Sequence, residues 1–141
     1  MNVDNEPKPR MDRAGRSALH YAALEDDPGA IARLLAAGGL PAVVDRQGFT
    51  PLHLAAQEFG LRAAASLIDA GARVDEENVY GNTPLWVAVF NSKGRGELNG
   101  LLRSHAADPL HVNASGQTPV GLARLIGNYD VAHPWVCPRF S

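Results

Sequence analysis

Residues Asp45–Ala56 read DRQGFTPLHLAA, and the order of residue types in that stretch decides the fold. An aspartate opens a turn by hydrogen-bonding its own backbone. Gly48 supplies the turn position where a positive φ is needed. Thr50 is placed to cap a helix. Pro51 takes the first helical position, where a missing N–H costs nothing. Ala55 and Ala56 are small, so another helix can approach closely. The stretch predicts a tight turn that runs at once into a closely packed helix.

The same order recurs. DRAGRSALHYAA starts at Asp12, NVYGNTPLWVAV at Asn78 and NASGQTPVGLAR at Asn113. The first two steps are 33 residues and the third is 35. The added pair falls between Asn78 and Asn113, around the Lys93–Gly96 loop or the turn near His105. Gly15, Gly81 and Gly116 repeat Gly48, and Thr83-Pro84 and Thr118-Pro119 repeat the cap. A second apolar set follows each block at helical spacing: Ile31, Leu34 and Leu35, then Ala64, Leu67 and Ile68, then Leu98, Leu101 and Leu102. Gly38 and Gly71 stand just after these segments, where helices end.

TPLHLAA with a period of 33 resembles the ankyrin-repeat family, whose signature it carries. The resemblance covers about residues 12–136 in four copies: 12–44, 45–77, 78–112 and 113–136. It implies an all-α, ankyrin-repeat solenoid of stacked helix–turn–helix units with projecting turns. Residues 1–11 are expected to be a flexible N-terminal tail, and 137–141 a short C-terminal one. Departures fall in the first, third and fourth copies. Ser17-Ala18 replaces Thr-Pro in the first copy. Trp86 and Gly121 stand where the family has histidine. Trp86 either packs under the turns or extends an aromatic patch. In the last copy Pro134 predicts a short, irregular second helix, with Trp135 and Phe140 folding back as a cap.

Composition narrows the function. The chain has 141 residues, a net charge of −2 and one cysteine, Cys137. That charge balance gives no sign of nucleic acid, and no apolar run approaches a membrane span. The N-terminus has no apolar signal segment, and a lone cysteine excludes an internal disulfide; a cytoplasmic protein is expected. NSKGRGE, from Asn91, invites a nucleotide-binding reading. Its single lysine precedes Gly94, whereas a phosphate loop needs glycines framing four residues before the lysine. The segment is expected to be a connection between helices, with Lys93 and Arg95 dispensable to the fold. His105, Asp108 and His111 lack a fourth metal ligand, and Asn113-Ala114-Ser115 is a glycosylation sequon expected to be silent. No catalytic arrangement, cofactor or metal site is read from spacing. His20 and His53 are expected to hydrogen-bond neighbouring turns.

In the family, partners dock on turn tips and on the inner faces of first helices. Carried over, this surface comprises Arg13, Arg16, Leu24 and Glu25, then Arg46, Gln47, Phe49, Gln57 and Glu58, then Val79, Tyr80, Asn82, Phe90 and Asn91, then Ser115, Gln117 and Leu125. Its expected contact set is Arg13, Arg16, Arg46, Phe49, Tyr80, Asn82, Phe90 and Asn91. Arginine and aromatic residues are what protein interfaces favour. The resemblance therefore implies a non-enzymatic protein-binding module, monomeric on its own, whose partner carries an acidic surface region. The chain also resembles small stand-alone bacterial ankyrin proteins, some of which look like immunity partners of polymorphic toxins. Blocking a toxin domain is the sharper reading. An adaptor or regulatory subunit, or a nucleotide-binding or hydrolytic protein using Lys93–Gly96, are the alternatives.

Overall fold

Each threonine at a predicted cap starts a helix, and Ser17 does the same in the first repeat. Ser17, Thr50, Thr83 and Thr118 adopt extended φ/ψ, and each side-chain oxygen accepts a bond from the backbone N–H three residues on. The helices so begun are α1 (Ala18–Leu24), α3 (Pro51–Gln57), α5 (Pro84–Phe90) and α7 (Pro119–Leu125). Between them lie α2 (Pro28–Ala36), α4 (Leu61–Asp69) and α6 (Glu97–Ser104). These assignments come from a computed structural model, which describes residues 13–93 and 95–126. No strand occurs among those residues. The expectations for residues 1–12, for the last repeat after Ile126 with Pro134, Trp135 and Phe140, for Cys137 and for the tail 137–141 lie outside the described residues.

First helices pack on first helices, α1 on α3, α3 on α5 and α5 on α7, while α2, α4 and α6 form a second layer. The core lies between the layers. Ala22, Ala23, Ala55, Ala56, Ala63, Ala64, Ala88 and Ala123 are all buried there, which keeps the helices close. Ile31, Leu52, Leu67, Leu85, Leu98 and Leu102 supply its bulk. Fully burying one such side chain contributes about 1.5–3 kcal/mol. Among the described residues no helix is long and apolar enough to cross a membrane.

The turns form a second, polar spine. Asp45, Asn78 and Asn113 each use Oδ1 to accept two backbone N–H bonds from their own turn, at 2.9–3.0 Å. Successive tips are joined by one backbone bond each: Arg46 N–H to Ala14 O, Val79 N–H to Gln47 O and Ala114 N–H to Tyr80 O, at 2.8–2.9 Å. Gly48 and Gly81 have φ of +79° and +74°. A Cβ there would lie 3.0 Å from Asn78 Cα and 2.7 Å from Ala114 N, so the glycines serve close turn-to-turn approach as well as φ.

The two added residues sit in the basic loop. The α5–α6 connection runs Asn91–Gly96, against Glu25–Asp27 and Glu58–Gly60 in the earlier repeats. It is three residues longer, and α6 is one shorter than α2 and α4, which gives the net two. The loop also makes contacts that its spacing did not announce: the Arg95 guanidinium lies 4.1 Å above the Phe59 ring and its Nε donates to Ser92 O at 2.9 Å. The extra length lets the cation fold back onto the preceding repeat. Another tie between repeats joins Asp26, at φ 53°, to α4: its Oδ1 accepts Ala63 N–H at 2.7 Å. Gly60, the N-cap of α4, has no side chain to do this.

Candidate functional site

The inner face is built by the turn tips and the exposed sides of α1, α3, α5 and α7. Two families of contact lock one turn to the next along it. The first involves the helix residue three after the cap. His20 Nδ1 accepts the Ser17 backbone N–H, so Nε2 carries the proton and donates to Phe49 O at 2.8 Å. His53 does the same with Thr50 N–H and Asn82 O, also at 2.8 Å. These are the expected bridges between neighbouring turns. Burial pushes the His53 pKa down from 6.5 to about 4, against smaller opposing effects of the Asn82 carbonyl and the Asp45 charge. In the third repeat Trp86 holds this place, and its indole Nε1–H is buried with no hydrogen-bond partner among the described residues.

The second family pairs the residue before each cap with the opener of the next turn. Arg16 forms an ion pair with buried Asp45 at 3.6 Å and lies over the Tyr21 ring. Asn82 Oδ1 accepts Asn113 Nδ2–H at 2.7 Å. The residue at the corresponding place in the second repeat is Phe49, and Asn78 Nδ2 is left buried with no partner among the described residues.

The expected contact residues divide accordingly. Arg13 and Arg46 are exposed at the tips, and Tyr80 and Phe90 are 48% and 60% exposed. Arg16 and Asn82 are engaged inside the array, and Asn91 donates from Nδ2 to Val87 O at the end of α5. Phe49 is half-buried, edge-on to His53. The structure gathers five of the eight: Phe49, Tyr80, Asn82, Phe90 and Asn91 line one open depression of about 310 Å³. Arg13, Arg16 and Arg46 are outside its lining. Gln57, Asn78, Trp86 and Val87 complete it and were not in the expected set. Trp86 stacks on Phe90 with centroids 5.4 Å apart and planes 10° from parallel, so it is half-buried and extends the aromatic patch. The signal for Trp86 was its departure from the TPLH pattern. Asn78 had no such signal, because its role depends on what stands opposite.

The other candidate groups disperse. His111 Nε2 pairs with Glu77 at 2.6 Å, Asp108 Oδ1 accepts Leu110 N–H, and His105 Nδ1 turns to Leu101 O. They form no common ligand set, and no group of three metal-ligating side chains occurs among the described residues. The sequon residue Asn113 is buried and fully used by its own turn and Asn82. Comparison with known families gives a match to a model described as ankyrin repeats (3 copies), over residues 2–78 and 19–113. No curated protein matches the sequence significantly.

Proposed function

Since the chain belongs to the ankyrin-repeat family, a family of protein-interaction modules, we propose that it works by holding a protein partner against its inner face. The observation that supports this is the 310 Å³ depression, where four aromatic rings converge at the middle of the array. Tyr80 and Phe90 are large apolar side chains left largely open to solvent, and clustered exposure of that kind marks interaction surfaces. Exposed Arg13 and Arg46 add positive charge at the tips, which suits a partner with an acidic region. Long-range charge of this kind mainly accelerates encounter.

The finer reading is an immunity partner, acting in the cytoplasm as a monomer until it meets and blocks a toxin domain. Its support is the resemblance to small bacterial ankyrin proteins, together with an array that accounts for every helix among the described residues. No enzymatic step is assigned to it. The test is affinity capture from the native host with wild-type protein and the Phe90→Asp variant in parallel. A protein retained by wild type and lost by the variant supports the inner-face reading. If that protein is a toxin encoded beside this chain, and the chain abolishes its activity, the immunity role holds. A partner with no toxic activity makes the chain an adaptor or regulatory subunit. Equal retention by both proteins refutes the surface.

A further inference from the structure

The depression coincides with two breaks in the array's own construction. In repeats one and two a histidine bridges each turn to the next; in repeat three Trp86 stands there and its Nε1–H has no partner among the described residues. Arg16 and Asn82 each satisfy the opener of the following turn; Phe49 does not, and Asn78 Nδ2 has no partner among the described residues. Asn78 is only 6% exposed, so its lost bond is not replaced by bulk water. Both breaks put an aromatic ring where a polar tie belongs. Both rings, and Asn78 itself, line the same depression. Violations of a repeat's local rules are expected where function overrides stability.

We infer, on the footing of the protein-binding reading above, that Phe49 and Trp86 are specificity-determining residues of a socket between the second and third repeats, occupied by an acidic protein segment that inserts one apolar side chain. The lining of the socket holds four rings and amides but no charged residue, which suits an apolar anchor. Neither Arg13 nor Arg46, exposed on neighbouring tips, has an ion pair among the described residues, so carboxylates flanking the anchor meet open positive charge. Phe49 and Trp86 thus do a job beyond packing, although Trp86 also rests against the core and Phe49 against His53.

The experiment uses a displayed library of random peptides selected on the full-length wild-type protein. Synthetic copies of the enriched peptides are then titrated against wild type, Phe49→Asn, Trp86→His and Phe90→Asp. Phe49→Asn gives Asn78 the amide partner that Asn82 gives Asn113, and Trp86→His restores the histidine bridge toward the fourth turn. The expected peptides carry an apolar residue flanked by Asp or Glu. They bind Phe49→Asn and Trp86→His about tenfold or more weaker, while both variants melt at or above the wild-type temperature. Peptides that lack acidic residues, or bind both variants as they bind wild type, overturn the inference. So does a lower melting temperature in both variants, which makes the rings packing residues. If Phe90→Asp alone abolishes binding, the roles given to Phe49 and Trp86 fall and the inner-face reading stands. If Phe90→Asp binds normally, or no peptide is enriched, both fall.

Discussion

His53 ties acid sensitivity to the stacking of repeats two and three. Its imidazole is buried, with Nδ1 held as an acceptor by Thr50 N–H and Nε2–H donating to Asn82 O. The folded protein therefore keeps it neutral, with a pKa near 4 instead of 6.5. In the unfolded chain the ring returns to about 6.5. The sign follows from linkage: below that value the unfolded state binds a proton that the folded state refuses. The stabilisation is complete above the unfolded pKa, is lost as pH falls from 6.5 toward 4, and changes no further below. A shift of this size corresponds to about 3 kcal/mol in full. About 2 kcal/mol of it is lost between about pH 7 and about pH 5. Urea unfolding followed by circular dichroism, on wild type and on His53→Gln at both pH values, isolates the term. The wild type should lose about 2 kcal/mol more than the variant over that interval. Equal losses in the two proteins would refute the account of His53 as a buried neutral bridge.

The glycine turns give a graded test. Gly81→Ala and Gly48→Ala meet the next turn at 2.7 and 3.0 Å, whereas no atom of the described residues lies within 4 Å of a Cβ at Gly116. All three share a positive φ, so Gly116→Ala should cost only about 1–2 kcal/mol and the other two clearly more in urea titrations. Asp26→Ala should cost about 1 kcal/mol by uncapping α4, while Asp26→Asn, which keeps the acceptor, should melt close to wild type. Arg95→Ala should lower stability by about 1 kcal/mol and Lys93→Ala by almost nothing, since only Arg95 lies on an aromatic ring. Millimolar nucleotide should leave all three melting temperatures unchanged; a rise in wild type that both variants lose would restore the phosphate-loop reading.

What the sequence disclosed was local. The openers, the capping threonines, the prolines and the period of 33 act within one turn or helix, and each appears where its chemistry places it. Half-legible features depended on length alone: the extra two residues could be counted, but their seat in the α5–α6 loop needed the helix bounds. The ties between repeats were harder to see. Asp26 caps a helix 37 residues away, and Arg95 returns to Phe59, because stacking brings these side chains together and periodicity does not name them. The pairs Arg16 with Asp45 and Asn82 with Asn113 sit in plain view once the repeats are written in register. The same register shows Phe49 against Asn78, the mismatch beside the depression. Of the expected contact residues, Arg16, Asn82 and Asn91 resemble surface groups by position, yet each makes a bond inside the array.

The claim at the centre is that the inner aromatic face, and not the outer layer of second helices, meets the partner. Site-specific photo-crosslinking in the native host tests it even while the partner is unidentified. A benzoyl-phenylalanine is placed at Phe90 or Tyr80 in one pair of strains, and at Arg33 or Arg62, exposed on α2 and α4, in another. The account predicts a discrete protein adduct from positions 90 and 80 and none from 33 and 62. An adduct confined to 33 and 62, or no adduct from 90 and 80, would contradict it.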